Sequence, residues 1–366
     1  MRSSSSRWPG VPMALVSAAL FGASTPISKA LLGSVDPWLL AGLLYLGAGI
    51  GLAVVRVARL ASRHVVTEAQ LSRGDLPWLT GAILAGGVAG PVLLMLGLAR
   101  IEAGAAALLL NVEGLATMAI AWVVFRENVD SRLLIGAAAI LGGAVLLSWN
   151  GSAFTLDLGA ILVVAACIAW GIDNNLTRKL SGADPQQIAM LKGLAAGTVN
   201  LGLALLQGAP LPTLDVAALA GVVGFLGYGV SLALFVAALR HLGTARTGAY
   251  FSLAPFVGVS IAVLFLGDEV TARLGGAALL MGIGVYLHLS ERHAHVHQHE
   301  QLVHEHRHIH DAHHQHEHSQ DDPAGEPHVH NHRHAPLVHQ HPHYPDLHHR
   351  HRHVTANTEA NEKSES

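Results

Sequence analysis

The chain has 366 residues, of which 51% are apolar and only 13% charged, with a mean hydropathy of +0.41. Soluble domains carry about 25% charged residues, so an ordinary soluble globular protein is excluded. The formal net charge of −3 comes without a basic patch interleaved with aromatics, which argues against a nucleic-acid partner. Cys167, the single cysteine, excludes an intrachain disulfide and a cysteine metal cluster, and in its apolar surroundings it reads as a small buried side chain.

The N-terminus, Met1 to Gly10, sets Arg2, Arg7 and four serines ahead of an apolar run. That resembles the basic start of a signal peptide. The run continues to about Leu32, and no small-residue cleavage site precedes a soluble domain, so it reads as a first spanning helix that stays attached. A span needs about 20 mainly apolar residues. Ten stretches qualify, near 11–32, 37–57, 76–97, 103–125, 132–149, 158–178, 186–206, 214–239, 245–266 and 271–290. Short connections hold the turn formers Asp36-Pro37, Asn150-Gly151, Asp184-Pro185 and Gly208 to Pro212. The runs lack a charged face, as a soluble helical protein of this size would not. Small residues recur at four-residue spacing, as in Gly47 with Gly51, Gly193 with Gly197 and Ala220 with Gly224, which lets membrane helices approach closely.

Lys and Arg set the expected orientation. With the N-terminus in the cytoplasm, twelve fall inside: Arg2, Arg7, Arg56, Arg59, Arg63, Arg73, Arg126, Arg132, Arg178, Lys179, Arg240 and Arg246. Three fall outside: Lys29, Arg100 and Arg273. Ten spans return the C-terminus to the cytoplasm.

The halves echo each other. Phe21 to Leu31 (FGASTPISKAL) precedes Asp36-Pro37, and Trp170 to Leu180 (WGIDNNLTRKL) precedes Asp184-Pro185, at an offset of 148 to 149 residues. Phe125-Arg126-Glu127-Asn128-Val129 with Arg132-Leu133 parallels Gly267-Asp268-Glu269-Val270 with Arg273-Leu274. Five spans per half give the two copies opposite orientations, a plan common in secondary transporters. The expected fold is therefore an all-α integral membrane protein of ten helices in two inverted five-helix repeats. Its expected segments are a cytoplasmic N-terminus (1–10), repeats at 11–149 and 158–290, and a disordered His-rich cytoplasmic tail (291–366).

These residues resemble the EamA family of the drug/metabolite transporter superfamily. The family repeat has an aromatic-Gly segment in its first helix. Its fourth helix is rich in small residues and bears a Glu-Pro-like step; an acidic residue and a Gly-rich fifth helix follow. The first copy reads Gly104 to Leu110, then Asn111-Val112-Glu113-Gly114, Arg126-Glu127 and Gly136 to Gly143. The second reads Gly248 to Leu253, Ala254-Pro255, Asp268-Glu269 and Gly275 to Gly284. The first keeps the Glu without the Pro, the second the Pro without the Glu. The resemblance covers residues 11–290 and implies a small-solute exporter of the bacterial inner membrane.

Ionisable groups at membrane depth are costly and default to function. Glu113 lies ten residues into the fourth span, two after Asn111, and suits proton coupling or cation binding; the plainer reading is a structural hydrogen bond. Asp173 has Asn174, Asn175 and Thr177 beside it, and Lys192 lies in the next span, so a salt bridge or a polar solute pocket is expected there. Trp170 and Tyr250 are candidate cavity-lining residues, Lys29 is expected to snorkel to the interface, and Arg126-Glu127 and Asp268-Glu269 read as solvated or capping charges.

From His293 to His353, 61 residues hold 23 histidines, many as His-x-His. The first runs are His293, His295, His297 and His299; His304, His306, His308 and His310; and His328, His330, His332 and His334. Alternate residues of an extended chain point the same way, and neutral imidazole suits Ni, Co and Zn. Too few apolar residues are present for a core, so disorder is expected. The tail either feeds metal to an efflux pore, buffers metal beside an organic-solute (amino acid, metabolite or drug) exporter, or marks a metal-responsive sensor without transport; the repeat speaks against the last. No phosphate-binding glycine loop and no catalytic constellation occur, so neither an enzyme nor an ATP-driven pump is expected, and the bundle calls for no cofactor. The expected partners are the lipid bilayer and a small-molecule or metal-ion substrate, and a homodimer is left open.

Overall fold

A computed structural model of the chain describes residues 10–61, 71–125, 131–148, 157–180, 183–235, 237–238, 247 and 250–289, and in the tail 293–299, 302–308, 328–334 and 337–343. In the first unit, up to residue 291, the regular structure among the described residues is all helical. A backbone in hydrocarbon must satisfy its own hydrogen bonds, which the helix does within one segment. Asp36 begins α2 (Pro37–Ala61) by accepting from the backbone N–H groups of Trp38 and Leu39 at 2.9 and 3.2 Å. Asp184 begins α9 (Pro185–Leu206) by accepting from the Gln186 N–H at 2.9 Å. The two Asp-Pro steps thus do the same work: the carboxylate caps, and proline fills the first helical position, where no N–H is needed.

The other helices are α1 (Gly10–Leu31), α3 (Leu76–Ala82), α4 (Gly90–Leu98), α5 (Ala103–Leu109), α6 (Val112–Phe125), α7 (Ser131–Ser148), α8 (Leu158–Thr177), α10 (Leu214–Gly224), α11 (Ala254–Ile261) and α12 (Ala272–Leu289). Seven stretches are long and apolar enough to cross a membrane: Gly10–Leu31, Pro37–Ala61, Arg73–Leu98, Ala103–Val124, Leu158–Thr177, Pro185–Leu206 and Leu214–Phe235. Three apolar helices are shorter, Arg132–Ser148, Ala254–Leu266 and Ala272–Leu287. The seven overlap seven of the ten stretches read from the sequence, and the three shorter helices overlap part of the other three.

Several stretches are not the uninterrupted α-helices that apolar runs suggest. Ile83–Ala89 joins α3 to α4 as a wider π-helix, Phe225–Val230 continues α10 in the same form, and Ala262–Leu266 follows α11 likewise. The fourth stretch breaks at Leu110-Asn111, between α5 and α6. The stretch before α11 breaks at Ser252-Leu253, one residue before Ala254-Pro255.

The pattern of burial is that of a membrane protein. Large apolar side chains face outward, with Val123 at 73% and Phe265 at 78% exposure, while Ser17, Ser28, Asn200, Asp173 and Lys192 are buried. Tails of lipid are as apolar as leucine, so helices associate by close packing of small residues and by polar contacts. The helix pair α2 and α9 is a case in point: a methyl group added to Gly193 would sit 2.6 Å from the Gly49 nitrogen. α7 packs on α12, α8 on α4 and α6, and α1 on α11. Thus the helices that follow the two Asp-Pro steps, α2 and α9, pack on each other.

The tail unit is described by itself. β1 (His293–His299) pairs antiparallel with β4 (Leu337–His343), and β2 (Leu302–His308) with β3 (His328–His334). The registers place His295 opposite His341 and His306 opposite His330. His-x-His alternation matches the two-residue period of a strand. Without a core beneath them, such two-stranded ribbons are marginally stable in water. The side chains of these histidines, and His310 altogether, lie outside the described residues.

Candidate functional site

The site forms where the π-helix Ile83–Ala89 meets α2, α8 and α9. Widening the helix alters its hydrogen-bond ladder, and π segments recur at functional sites. Here three side chains from three other helices bind its carbonyls. Tyr45 Oη donates to Gly86 O at 2.8 Å, Trp170 Nε1 to the same oxygen at 2.9 Å, and Asn200 Nδ2 to Gly87 O at 3.1 Å. Asn200 Oδ1 is buried without a partner.

Beside Gly86 lies an ion pair. Lys192 Nζ donates to both Asp173 oxygens at 2.6 Å, and Thr177 Oγ1 donates to Asp173 Oδ1 at 2.8 Å. The two side chains are only 10% and 8% exposed. A methyl group on Gly86 would overlap the Asp173 carboxylate, so glycine is what allows α8 to bring its acid against the π segment. Lys192 lies seven residues into α9, about 10 Å along its axis. The salt bridge expected from the sequence is therefore present.

Glu113 belongs to a second polar cluster, where α6 packs on α8. It sits in the first turn of α6, just past the break, where the helix N-terminus favours negative charge. Asn174 Nδ2 donates to Glu113 Oε1 at 2.9 Å and to Thr117 Oγ1 at 3.1 Å, and Asn175 Nδ2 donates to Thr117 O at 3.1 Å. Asn111, expected beside Glu113, turns away: its Nδ2 donates to Leu108 O at 2.9 Å and lies 3.8 Å from Met281 Sδ on α12. Residues two apart on a helix lie on different faces in any case, so Asn111 and Glu113 meet different neighbours.

Aromatic rings line the next layer. Phe21 packs edge-on against Trp170 (centroids 6.5 Å apart) and Tyr228 (5.8 Å), and against Phe251 at 5.3 Å. Tyr45 lies 5.4 Å from Tyr228. Of the two aromatics picked from the sequence, Trp170 belongs to this layer. Tyr250 packs instead against the buried cluster of Ala14 and Ala238. Tyr45, Asn200 and Gly86 were not legible as site residues, because a lone polar atom in an apolar run carries no spacing signal. Asn200, an amide at membrane depth, was the one hint.

Lys29 Nζ donates to Leu98 O at 2.8 Å, capping a carbonyl at the end of α4. Asp268 caps, one of the two roles expected of it: it accepts from the Gly104 N–H in the first turn of α5 at 2.7 Å, and it hydrogen-bonds Glu102, whose carboxyl is raised from its ordinary value by that bond and by the Asp268 charge. At the opposite end, Arg56 bridges to Asp184 at 2.7 Å. Arg126-Glu127 lies outside the described residues. Cys167 is buried, as expected. Among the described residues no three His, Cys, Asp or Glu side chains converge as metal ligands.

Comparison with known proteins follows the same lines. The EamA-like transporter family model matches residues 8–149 and again 157–290. An uncharacterized transporter of Methanothermobacter thermautotrophicus is 30% identical over 282 residues, 73% of this chain and 82% of that protein. A probable amino-acid metabolite efflux pump of Salmonella typhimurium is 30% identical over 303 residues, 76% and 93% of the two chains. A solved crystal structure with 17% identity shares the fold, with a TM-score of 0.57, covering 77% of this chain and 96% of its own. The chain belongs to the EamA-like transporter family, and is a multi-pass membrane protein.

Proposed function

We propose that this protein is a secondary exporter of small organic solutes, of the amino-acid metabolite class, in the bacterial inner membrane. Its ten helices form two inverted five-helix repeats with both termini in the cytoplasm. The observation that carries the reading is the pair of helix breaks, at Leu110-Asn111 and Ser252-Leu253, at corresponding points of the two halves. Interrupted helices in matching positions are the usual mark of a solute site between inverted repeats. The Salmonella relative's name supports the solute class. Metal efflux through the bundle is the weaker alternative. Asp173 already neutralises Lys192, whose ammonium repels a cation, and Glu113 is engaged by Asn174.

In this reading Glu113 couples transport to protons, and the tail binds Ni, Co or Zn as a cytoplasmic buffer. Counterflow in proteoliposomes, screened across amino acids and their metabolites, tests the exporter. Transport by the intact chain and by a chain lacking residues 293–353 supports an organic cargo. Metal uptake that disappears with the tail refutes it. Equilibrium dialysis against Ni, Co and Zn tests the tail directly; equal metal binding with and without residues 293–353 removes its role.

A further inference from the structure

The exporter reading leaves the buried Lys192–Asp173 pair without an assigned task. A buried ion pair is a poor device for stability, because desolvating two charges offsets most of their attraction. It is held tightly all the same. Asp173 accepts both bonds from Lys192 and one from Thr177, and Gly86 gives way to admit it. The Gly86 carbonyl next to the pair is bound by Tyr45 and Trp170. Charged groups of both signs therefore meet an aromatic wall at one point in the bundle.

Resting on the exporter reading, we propose that Lys192 and Asp173 bind the headgroup of a zwitterionic α-amino acid with an apolar side chain. Lys192 takes the carboxylate. Asp173, with Thr177, takes the ammonium. The side chain lies against the rings of Tyr45, Trp170 and Phe21. The chemistry favours a zwitterion over a singly charged solute. A zwitterion replaces the internal pair charge for charge, so neither Lys192 nor Asp173 is left unpartnered at membrane depth. An amine would satisfy Asp173 and strand Lys192, and a carboxylate would do the reverse.

The test is binding of L-leucine to the purified full chain, by isothermal titration, beside 3-methylbutylamine and 4-methylpentanoate, which lack its carboxylate and its ammonium. Each analogue is expected to bind at least ~10-fold more weakly, the loss of one charge-assisted hydrogen bond. Lys192→Gln should weaken leucine by a similar factor while leaving 3-methylbutylamine bound at least as tightly as before. Asp173→Asn should do the same with 4-methylpentanoate. Asp173→Asn/Lys192→Gln leaves no unpaired charge and guards against misfolding of the single variants; it should lose leucine as well. Analogues that bind as tightly as leucine, or a double variant that keeps leucine within about twofold, overturn the proposal. Counterflow separates the two readings. Movement of other solutes but not leucine overturns the zwitterion site alone. If no solute moves, the exporter reading falls, and the titration still decides the site.

Discussion

The contact of α2 with α9 offers a test in which one helix contains its own control. Gly193 and Gly202 both lie in α9. A methyl group at Gly193 would sit 2.6 Å from Gly49 N and 2.8 Å from Gly49 Cα and Tyr45 O, whereas at Gly202 it would meet nothing within 4 Å. Ordinary contact begins near 3.4 Å, so Gly193→Ala must push the helices apart by about 0.8 Å, an overpacking that costs about 1–3 kcal/mol. Alanine recovers up to about 1 kcal/mol of helix propensity at either position. Gly193→Ala should therefore lose about 1–2 kcal/mol, and Gly202→Ala should be neutral or slightly stabilised. Reversible unfolding in mixed micelles at rising SDS fraction measures both. Equal shifts for the two variants would refute the claim that backbone proximity, rather than loss of glycine as such, holds α2 on α9.

Lys192→Met alone leaves the Asp173 carboxylate buried and unpaired, and should cost about 3–5 kcal/mol in the same assay, while Lys192→Met with Asp173→Leu should recover most of it. Trp170→Phe removes one of the two donors to Gly86 O and should cost about 0.5–1.5 kcal/mol; no change in stability would mean that the carbonyl does not depend on this donor. The Glu102–Asp268 contact should be strongest at low pH. Its raised carboxyl stabilises the folded state while protonated, and that contribution is lost as pH rises through the raised value. Hydrogen exchange of a peptide spanning 267–271, corrected for intrinsic rate, should rise with pH in the wild type and lose that dependence in Glu102→Gln. Glu113→Gln should abolish solute counterflow without lowering membrane abundance, and retained counterflow would remove its coupling role.

Much of the fold could be read from the sequence because the bilayer imposes a single rule. Every backbone group must be bonded within its own helix, so an apolar run of about 20 residues means one span. Asp36-Pro37 and Asp184-Pro185 marked helix starts because capping is a local interaction between a side chain and the next N–H groups. Asp173, Lys192 and Glu113 stand out in the sequence because charges at membrane depth are costly. The surroundings of Asn111 and Tyr250 could not be read from the sequence, because each lies beside a helix break whose local geometry decides what a side chain meets.

What the sequence by itself determined, then, is the local and the costly: spans, caps, buried charges and the histidine alternation. Tertiary structure alone decided the rest. Gly86 matters only because α8 arrives there with Asp173, Tyr45 only because its hydroxyl shares one carbonyl with Trp170, and Gly104 only because its N–H meets Asp268 from the opposite half. Each of these joins residues far apart in the chain through contacts that helix packing creates, and close packing depends on the shape of both surfaces at once.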